Sequence, residues 1–302
     1  MSSSPLAPAP FGRVLTAMVT AFADDGSVDL DATARVAVHL ADNGHDGVVV
    51  SGTTGEAPTT SVAENAQILR AVVDAVGDRV QVVAGVGTNN TAHSIELAEQ
   101  AAKAGAHGAL LVTPYYNKPT QEGVAAHFEA VANASDLPVM LYDIPGRTVT
   151  EITLDTYKRV AEHERIVAVK DAVGDLFRGV RIMEQTGLSL YSGDDEMNLG
   201  WLTHGGSGVV SVVGHVAGNE YAAMVRAVEV GDVGEAFAIY RKVAPLVDVI
   251  MTRAPGAMMA KAAMQLMGVL DNRNMRLPLV PASDDLVGSL RTELANAGLI
   301  DN

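Results

Sequence analysis

The chain has 302 residues, a length that suits one large barrel, alone or with a small extra domain. Hydrophobic residues make up 48% and charged residues 19%, which excludes a disordered chain. With 21 basic residues against 36 acidic ones the net charge is -15, a surface that repels nucleic-acid backbones and anionic lipid.

There is no cysteine, so a disulfide framework, a thiolate metal site and a thiol nucleophile are excluded, and the chain fits a reducing cytoplasm. The opening MSSSPLAPAP has neither a basic start nor an apolar core. It reads as a frayed Pro/Ser tail over residues 1–10 rather than a signal peptide. No apolar run approaches the roughly 18 residues of a membrane helix.

Beyond the tail a rhythm begins. Short β-branched runs recur as VLTAMVT from Val14, GVVVSG from Gly47, VQVVAG from Val80 and GALLVTP from Gly108. They continue as PVMLYD from Pro138, IVAVKD from Ile166, LSLYSG from Leu188 and GVVSVVG from Gly208. Ala-rich stretches with helical spacing, such as LDATARVAVHLADNG and AENAQILRAVVDAVGD, fill the intervals. Strands alternating with helices predict parallel βαβ units, and eight of them with strands apolar on both faces predict a closed (β/α)8 TIM barrel over residues 11–232. After about Gly231 the strand rhythm stops. GEAFAIYRKVAPLVDVIM, GAMMAKAAMQLMGVL and DDLVGSLRTELANAG predict three helices. They form either a small C-terminal all-helical domain over 233–302 or extra helices packed on the barrel.

The two ends of the barrel differ. The turns from helix to strand are short and carry the glycines of Asn43-Gly44, Val76-Gly77, Ala104-Gly105 and His204-Gly205, which read as helix C-caps. The loops that follow the strands are longer and more polar: SGTTGE, TPYYNKPTQEG, YDIPGRT, KDAVGD and SGDDE. In this fold chemistry sits at that end.

Lys170 is the least expected residue there, because it ends a strand that otherwise reads as core. Ile166, Ala168 and Lys170 are expected on one face of that strand and Val167 and Val169 on the other. A lysine at a strand end often does no more than reach water. Desolvated, its amine has a lowered pKa and can form a Schiff base. The other lysines, Lys103, Lys118, Lys158, Lys242 and Lys261, fall on predicted helices or in a loop, where a solvated face accounts for them. Tyr142 closes the fifth strand, as barrel packing or as a general acid/base. Thr53 and Thr54 lie in GTTG, an ordinary turn by itself, whose hydroxyls and N–H groups also suit a small carboxylate. Tyr115-Tyr116 is an aromatic loop pair of the kind found at contact surfaces. Arg147, in a loop, is either a solvated charge or a bidentate carboxylate clamp. An amine, a phenol, two hydroxyls and a guanidinium converging on one barrel mouth favour an imine-forming lyase or aldolase for a small keto acid.

Other chemistries fit less well. No HxH or HExxH spacing occurs among the histidines, which argues against a zinc aldolase. Asp194-Asp195-Glu196 is accounted for by the dipole of a helix start. The GVG at Gly85 lacks the third glycine of a dinucleotide fingerprint, and GGSG at Gly205 precedes a strand. No metal and no cofactor are assigned.

GTTGE, TPYYNKPTQEG, YDIPGRT, VKDA, SGDD and GVVSV occur in an order and spacing that resembles the dihydrodipicolinate synthase family, the 4-hydroxy-tetrahydrodipicolinate synthases. The resemblance runs from about Phe11 to Leu299. GTTGE is shared with the wider pyruvate-lyase superfamily, including N-acetylneuraminate lyase, whereas the arginine of YDIPGRT discriminates. The resemblance implies condensation of pyruvate with L-aspartate 4-semialdehyde, in the diaminopimelate route to lysine, without a cofactor. It implies that Lys170 forms the imine and that Tyr142 shuttles protons through a hydroxyl relay with Thr53 and Tyr116. The tyrosine at the Tyr116 position reaches across from a neighbouring subunit in that family, typically a homotetramer built as a dimer of dimers. Thr54 would hold the pyruvate carboxylate, Arg147 the aldehyde substrate, and Gly193 and Val210 would line the pocket through their backbones. At positions that the resemblance associates with lysine inhibition, the chain has Ala57, Pro58, Val62, Asn65 and His93, with Asn89 retained; weak or absent inhibition by lysine is expected. A different pyruvate-dependent aldolase or lyase, and a non-catalytic keto-acid sensor, are the competing readings.

Overall fold

The computed structural model describes residues 6–301. Eight strands appear among them: β1 (Val14–Ala17), β2 (Gly47–Val50), β3 (Gln81–Gly85), β4 (Gly108–Val112), β5 (Val139–Asp143), β6 (Ile166–Asp171), β7 (Ser189–Ser192) and β8 (Gly208–Ser211). All pair in parallel in sequence order, and β8 returns to β1, so the sheet closes into the expected barrel. The helices between strands are α1 (Leu30–Asp42), α2 (Val62–Val76), α3 (Thr91–Lys103), α4 (Gln121–Ala132), α5 (Pro145–Thr148), α6 (Leu154–Val160), α7 (Leu176–Thr186) and α8 (Asn198–Thr203). After β8 come α9 (Gly214–Glu229), α10 (Val233–Val247), α11 (Gly256–Leu266) and α12 (Asp284–Asn296). No helix among the described residues is long and apolar enough to cross a membrane.

The helices begin where side chains supply acceptors for the free N–H groups of the first turn. Ser61 and Glu64 form a reciprocal capping box on α2, and Asp29, Asn90, Thr120 and Asp175 cap α1, α3, α4 and α7. Each such cap contributes about 1 kcal/mol. At the other helix ends, Gly44, Gly105 and Gly205 take the left-handed conformation expected of C-cap glycines, while Gly77 stays right-handed.

Alternation along each strand builds two cores. Leu15, Val49, Val83, Leu110 and Met140 point into the barrel, whereas Val48, Val50, Val82 and Leu141 meet the helix layer. Burial on both faces is why the strands read as unbroken apolar runs. Strand β6 departs from strict alternation. Val139 pairs with Ile166 but Met140 with Ala168, so Val167 is an extra residue. This bulge sends Ile166 to the outer layer, not to the face of Ala168 and Lys170 expected from simple alternation.

Two further expectations are corrected. Residues 1–5 lie outside the described residues, but residues 6–10 are not frayed. Leu6 is buried, the Ala7 N–H donates to the Gly205 carbonyl, and the Pro8 carbonyl accepts from the Ser189 hydroxyl. These bonds, with that from the Arg13 guanidinium to the Ala7 carbonyl, tie the segment to residues at the starts of β1, β7 and β8. Lys261, expected on a solvated helix face, is 1% exposed and donates to the Glu56 carboxylate at 2.6 Å. Buried residues of α10 to α12, among them Val243, Met259 and Leu290, belong to the same apolar cluster as the helices around the barrel.

Candidate active site

Lys170 and Tyr142 are register partners on adjacent strands, one residue before the ends of β6 and β5. Both point inward, and the Lys170 Nζ lies 4.2 Å from the centre of the Tyr142 ring. Lys170 is 4% exposed, and among the described residues no hydrogen bond or ion pair reaches its amine. Burial pushes its pKa from 10.5 down to about 8; Asp195 opposes that shift and Arg147 adds to it. At pH 7 roughly a tenth of the amine is then neutral, about 300 times the fraction in an ordinary lysine. Burial raises the Tyr142 phenol above its ordinary 10, with Arg147 pulling it back. A group that holds its proton so firmly needs a partner to pass it on.

Gly193 explains how the lysine fits. A Cβ at this position would lie 2.8 Å from the Lys170 Cγ and 2.9 Å from the Asp171 carbonyl oxygen, so a side chain there would displace the lysine stem. Its N–H donates to the same carbonyl at 2.7 Å, which ties the loop after β7 to β6. Val210 is buried on β8 opposite Leu15 and faces the interior. Arg147 is exposed on α5, where its charge acts on both Lys170 and Tyr142.

Thr53 and Thr54 sit in the loop after β2, Thr53 exposed and Thr54 buried. Ser51 and Glu56 at the ends of the loop are left-handed, with φ of 55° and 57°. Glu56 N–H donates to the Thr53 carbonyl and Ala57 N–H to the Gly52 carbonyl. Among the described residues no hydrogen bond engages the amides of Thr53 and Thr54, which suits them to an anion. Among the described residues no hydrogen bond joins either threonine to Lys170 or Tyr142. Tyr116 stands further apart, left-handed at φ 70° and 86% exposed, bonded to neither Thr53 nor Tyr142. The single chain therefore brings together Lys170, Tyr142, Gly193, Val210 and the charge of Arg147, but not the hydroxyl relay.

One residue whose charge acts on the site was not singled out in the sequence. Asp195, read as part of a helix start, is 2% exposed and accepts from Val212 and Val213 N–H, the Tyr221 hydroxyl, the Asn198 amide and the Ser211 hydroxyl. It fixes the turn after β8 and is the foremost charge that favours protonated Lys170. Three acids in a row hide which of them is buried, so nothing in the sequence marks it. Asp194, by contrast, caps the short 3-10 turn Asp195–Met197, as expected of a helix start.

A closed parallel barrel with a desolvated, unpaired amine at its mouth defines a class of barrel suited to imine chemistry on carbonyl substrates. Residues 10–297 match the Dihydrodipicolinate synthetase family, and the chain belongs to that family. It is 60% identical over 290 residues to the 4-hydroxy-tetrahydrodipicolinate synthase of Kineococcus radiotolerans, covering 96% of this chain and 94% of that one. It is 55% identical over 296 residues to the enzyme of the same name from Acidothermus cellulolyticus, covering 98% and 96%. Among solved structures, that of DHDPS from Cyanidioschyzon merolae with lysine bound superposes with a TM-score of 0.92 at 43% identity, over 97% of this chain and all of that one.

Proposed function

We propose that the chain condenses pyruvate with L-aspartate 4-semialdehyde, the reaction of a 4-hydroxy-tetrahydrodipicolinate synthase. The observation that carries this reading is the partnerless Lys170 amine, 4.2 Å from the Tyr142 ring centre. Neutral Lys170 attacks the keto carbon of pyruvate, and the resulting carbinolamine takes up a proton at its hydroxyl and loses water to leave a protonated imine. That nitrogen draws electrons, so a methyl proton of pyruvate departs and an enamine forms. The enamine carbon then attacks the aldehyde carbon of the second substrate. Tyr142 carries protons to and from these centres, with Thr53 and Tyr116 as its relay. Thr54 holds the pyruvate carboxylate, Arg147 the carboxylate of the semialdehyde, and Gly193 and Val210 present backbone to the pocket. Turnover coupled to the NADPH-dependent reductase that consumes the product tests the reaction, and borohydride reduction with pyruvate tests the imine. A saturable rate and an adduct on Lys170 are expected; no adduct from folded protein would remove the mechanism.

We also propose a cytoplasmic homotetramer, a dimer of dimers, in which Tyr116 enters a neighbour's site. Its 86% exposure beside a relay with no other member in contact supports this. Sedimentation of an inactive, monomeric species that gains activity on association would fit; a fully active monomer would not. Within each chain, residues 11–232 form the catalytic barrel and 233–302 a C-terminal helical domain. Inhibition by lysine is expected to be weak or absent. Asn65 Oδ1 accepts from the Thr60 hydroxyl, and the His93 ring faces Glu96 at 3.3 Å, so both are engaged locally. Strong inhibition below about millimolar lysine would contradict this, against a typical effector coupling of about 1–3 kcal/mol.

A further inference from the structure

The residues that follow the Tyr142 and Lys170 register pair are Asp143 and Asp171, themselves register partners. Successive side chains on a strand face opposite ways, so these carboxylates point outward where the phenol and the amine point inward. Both are fully buried, with side-chain exposure of 0%. One guanidinium lies between them. Arg178 donates from Nη2 to Asp143 at 2.7 Å and from Nη1 to Asp171 at 3.2 Å.

Arg178 is itself held on every side. Its Nη2 also donates to the Ile152 carbonyl at 2.6 Å, its Nε meets Glu151 at 2.9 Å, and its Cζ lies 5.6 Å from the centre of the Tyr157 ring. Tyr157 donates its hydroxyl to Asp143, and the remaining oxygen of Asp171 accepts from Val173 and Gly174 N–H. Those two bonds fold the loop after β6 back on itself, and Asp175 then starts α7 and caps it at the Arg178 N–H. The sequence KDAVGDLFR thereby returns its arginine to the aspartate next to the lysine.

We propose that Arg178 is a positioning residue, whose rigid fork bridges Asp143 and Asp171 and so fixes the ends of β5 and β6 and the placement of Lys170 against Tyr142. The proposal rests on the assignment of Lys170 and Tyr142 above. A trio of apolar side chains would hold these strands together at least as firmly as buried charges. What an arginine adds is two fixed directions of attachment, which lysine's single mobile ammonium does not reproduce. A misplacement of 1 Å at a reacting pair can slow a reaction by about 100-fold, so this geometry matters more to rate than to cohesion.

The test compares Arg178→Lys with the wild type as full-length protein, well below the unfolding midpoint of each. The readout is the rate at which borohydride traps the pyruvate adduct on Lys170, per folded chain and at saturating pyruvate. A loss of tenfold or more is expected, with pyruvate carboxylate binding, followed by protection with a non-reactive analogue, changed less than threefold. Glu151→Gln, which removes only the outer, half-exposed partner, is expected within twofold of wild type. Should Arg178→Lys fail to fold, the triple variant Asp143→Asn, Asp171→Asn, Arg178→Met leaves no unpaired buried charge, only the half-exposed Glu151, and is measured in the same way. A wild-type trapping rate in a folded variant whose thermal midpoint alone has fallen would overturn the proposal. A wild-type protein that yields no adduct on Lys170 would instead overturn the assignment of the lysine, and the proposal with it.

Discussion

Two lysines in this chain share an environment to a surprising degree. Lys170 at the barrel mouth and Lys261 on α11 are both buried, and both amines lie 4.2 Å from an aromatic ring centre, those of Tyr142 and Phe22. Burial pushes each pKa down to about 8. The difference lies in their partners. Lys261 donates to Glu56 and to the Asn274 carbonyl, both at 2.6 Å, and the Glu56 carboxylate opposes the effect of burial. Glu56 also accepts from the Arg276 N–H, so the pair fastens the segment after α11 to the loop that carries Thr53 and Thr54. Among the described residues Lys170 has no hydrogen-bond or ion-pair partner of this kind. Paired, such an amine is a fastening; left unpaired, it is the group to which the proposed function gives the role of nucleophile.

Replacing each lysine by methionine should separate them most widely. Lys170→Met is expected to lose at least about 10⁴-fold in turnover, the scale seen when a nucleophile is removed. It should nevertheless be more stable than wild type at pH 7, by about 3 kcal/mol, because a buried charge whose desolvation Asp195 offsets only in part is gone. The sign follows from a folded pKa of about 8 below the ordinary 10.5. Below pH 8 both states are protonated and the folded one carries the full cost, so the gain is complete there. It shrinks between 8 and 10.5 and vanishes above. Thermal melts from pH 6 to 11 would check this, and a lower midpoint at pH 7 would show that Lys170 has a stabilising partner.

Lys261→Met should act in the opposite sense. It strands the Glu56 carboxylate, and breaking a buried pair in this way costs about 3–5 kcal/mol. Denaturant unfolding would show it; a variant as stable as wild type would mean that the pair contributes packing alone.

Gly193→Ala should be milder. The added methyl presses on the Lys170 stem and the Asp171 carbonyl, and overpacking of this sort costs about 1–3 kcal/mol. A 10- to 100-fold slower imine trapping, with a modest fall in midpoint, is expected. An unchanged rate would show that the lysine has room to shift.

The smallest effect is one of conditions. Imine trapping at saturating pyruvate should rise about tenfold per pH unit below the Lys170 pKa of about 8 and level off above it, because only the neutral amine attacks. A flat profile from pH 6 to 9 would place the amine's pKa elsewhere.

Much of this was legible in one dimension. Strand runs buried on both faces, helices begun by Ser, Thr, Asp and Asn caps, and left-handed glycines at three of the four turns are local patterns, and local patterns specify the barrel and tell its two ends apart. Lys170 and Tyr142 stand out in the same way, as polar residues ending apolar strands. The tertiary structure alone decided which residues share a pocket. Lys261 meets Glu56 across 205 positions in sequence, and no periodicity predicts such a meeting. The bulge at Val167 depends on how β5 pairs with β6, and the burial of Asp195 on the turn it supports after β8. Whether an amine is solvated, paired or left ready to react is set by what the closed fold packs around it. A chain can spell out where a lysine lies on a strand or helix; only closure of the barrel determines how much water that lysine loses and what replaces it.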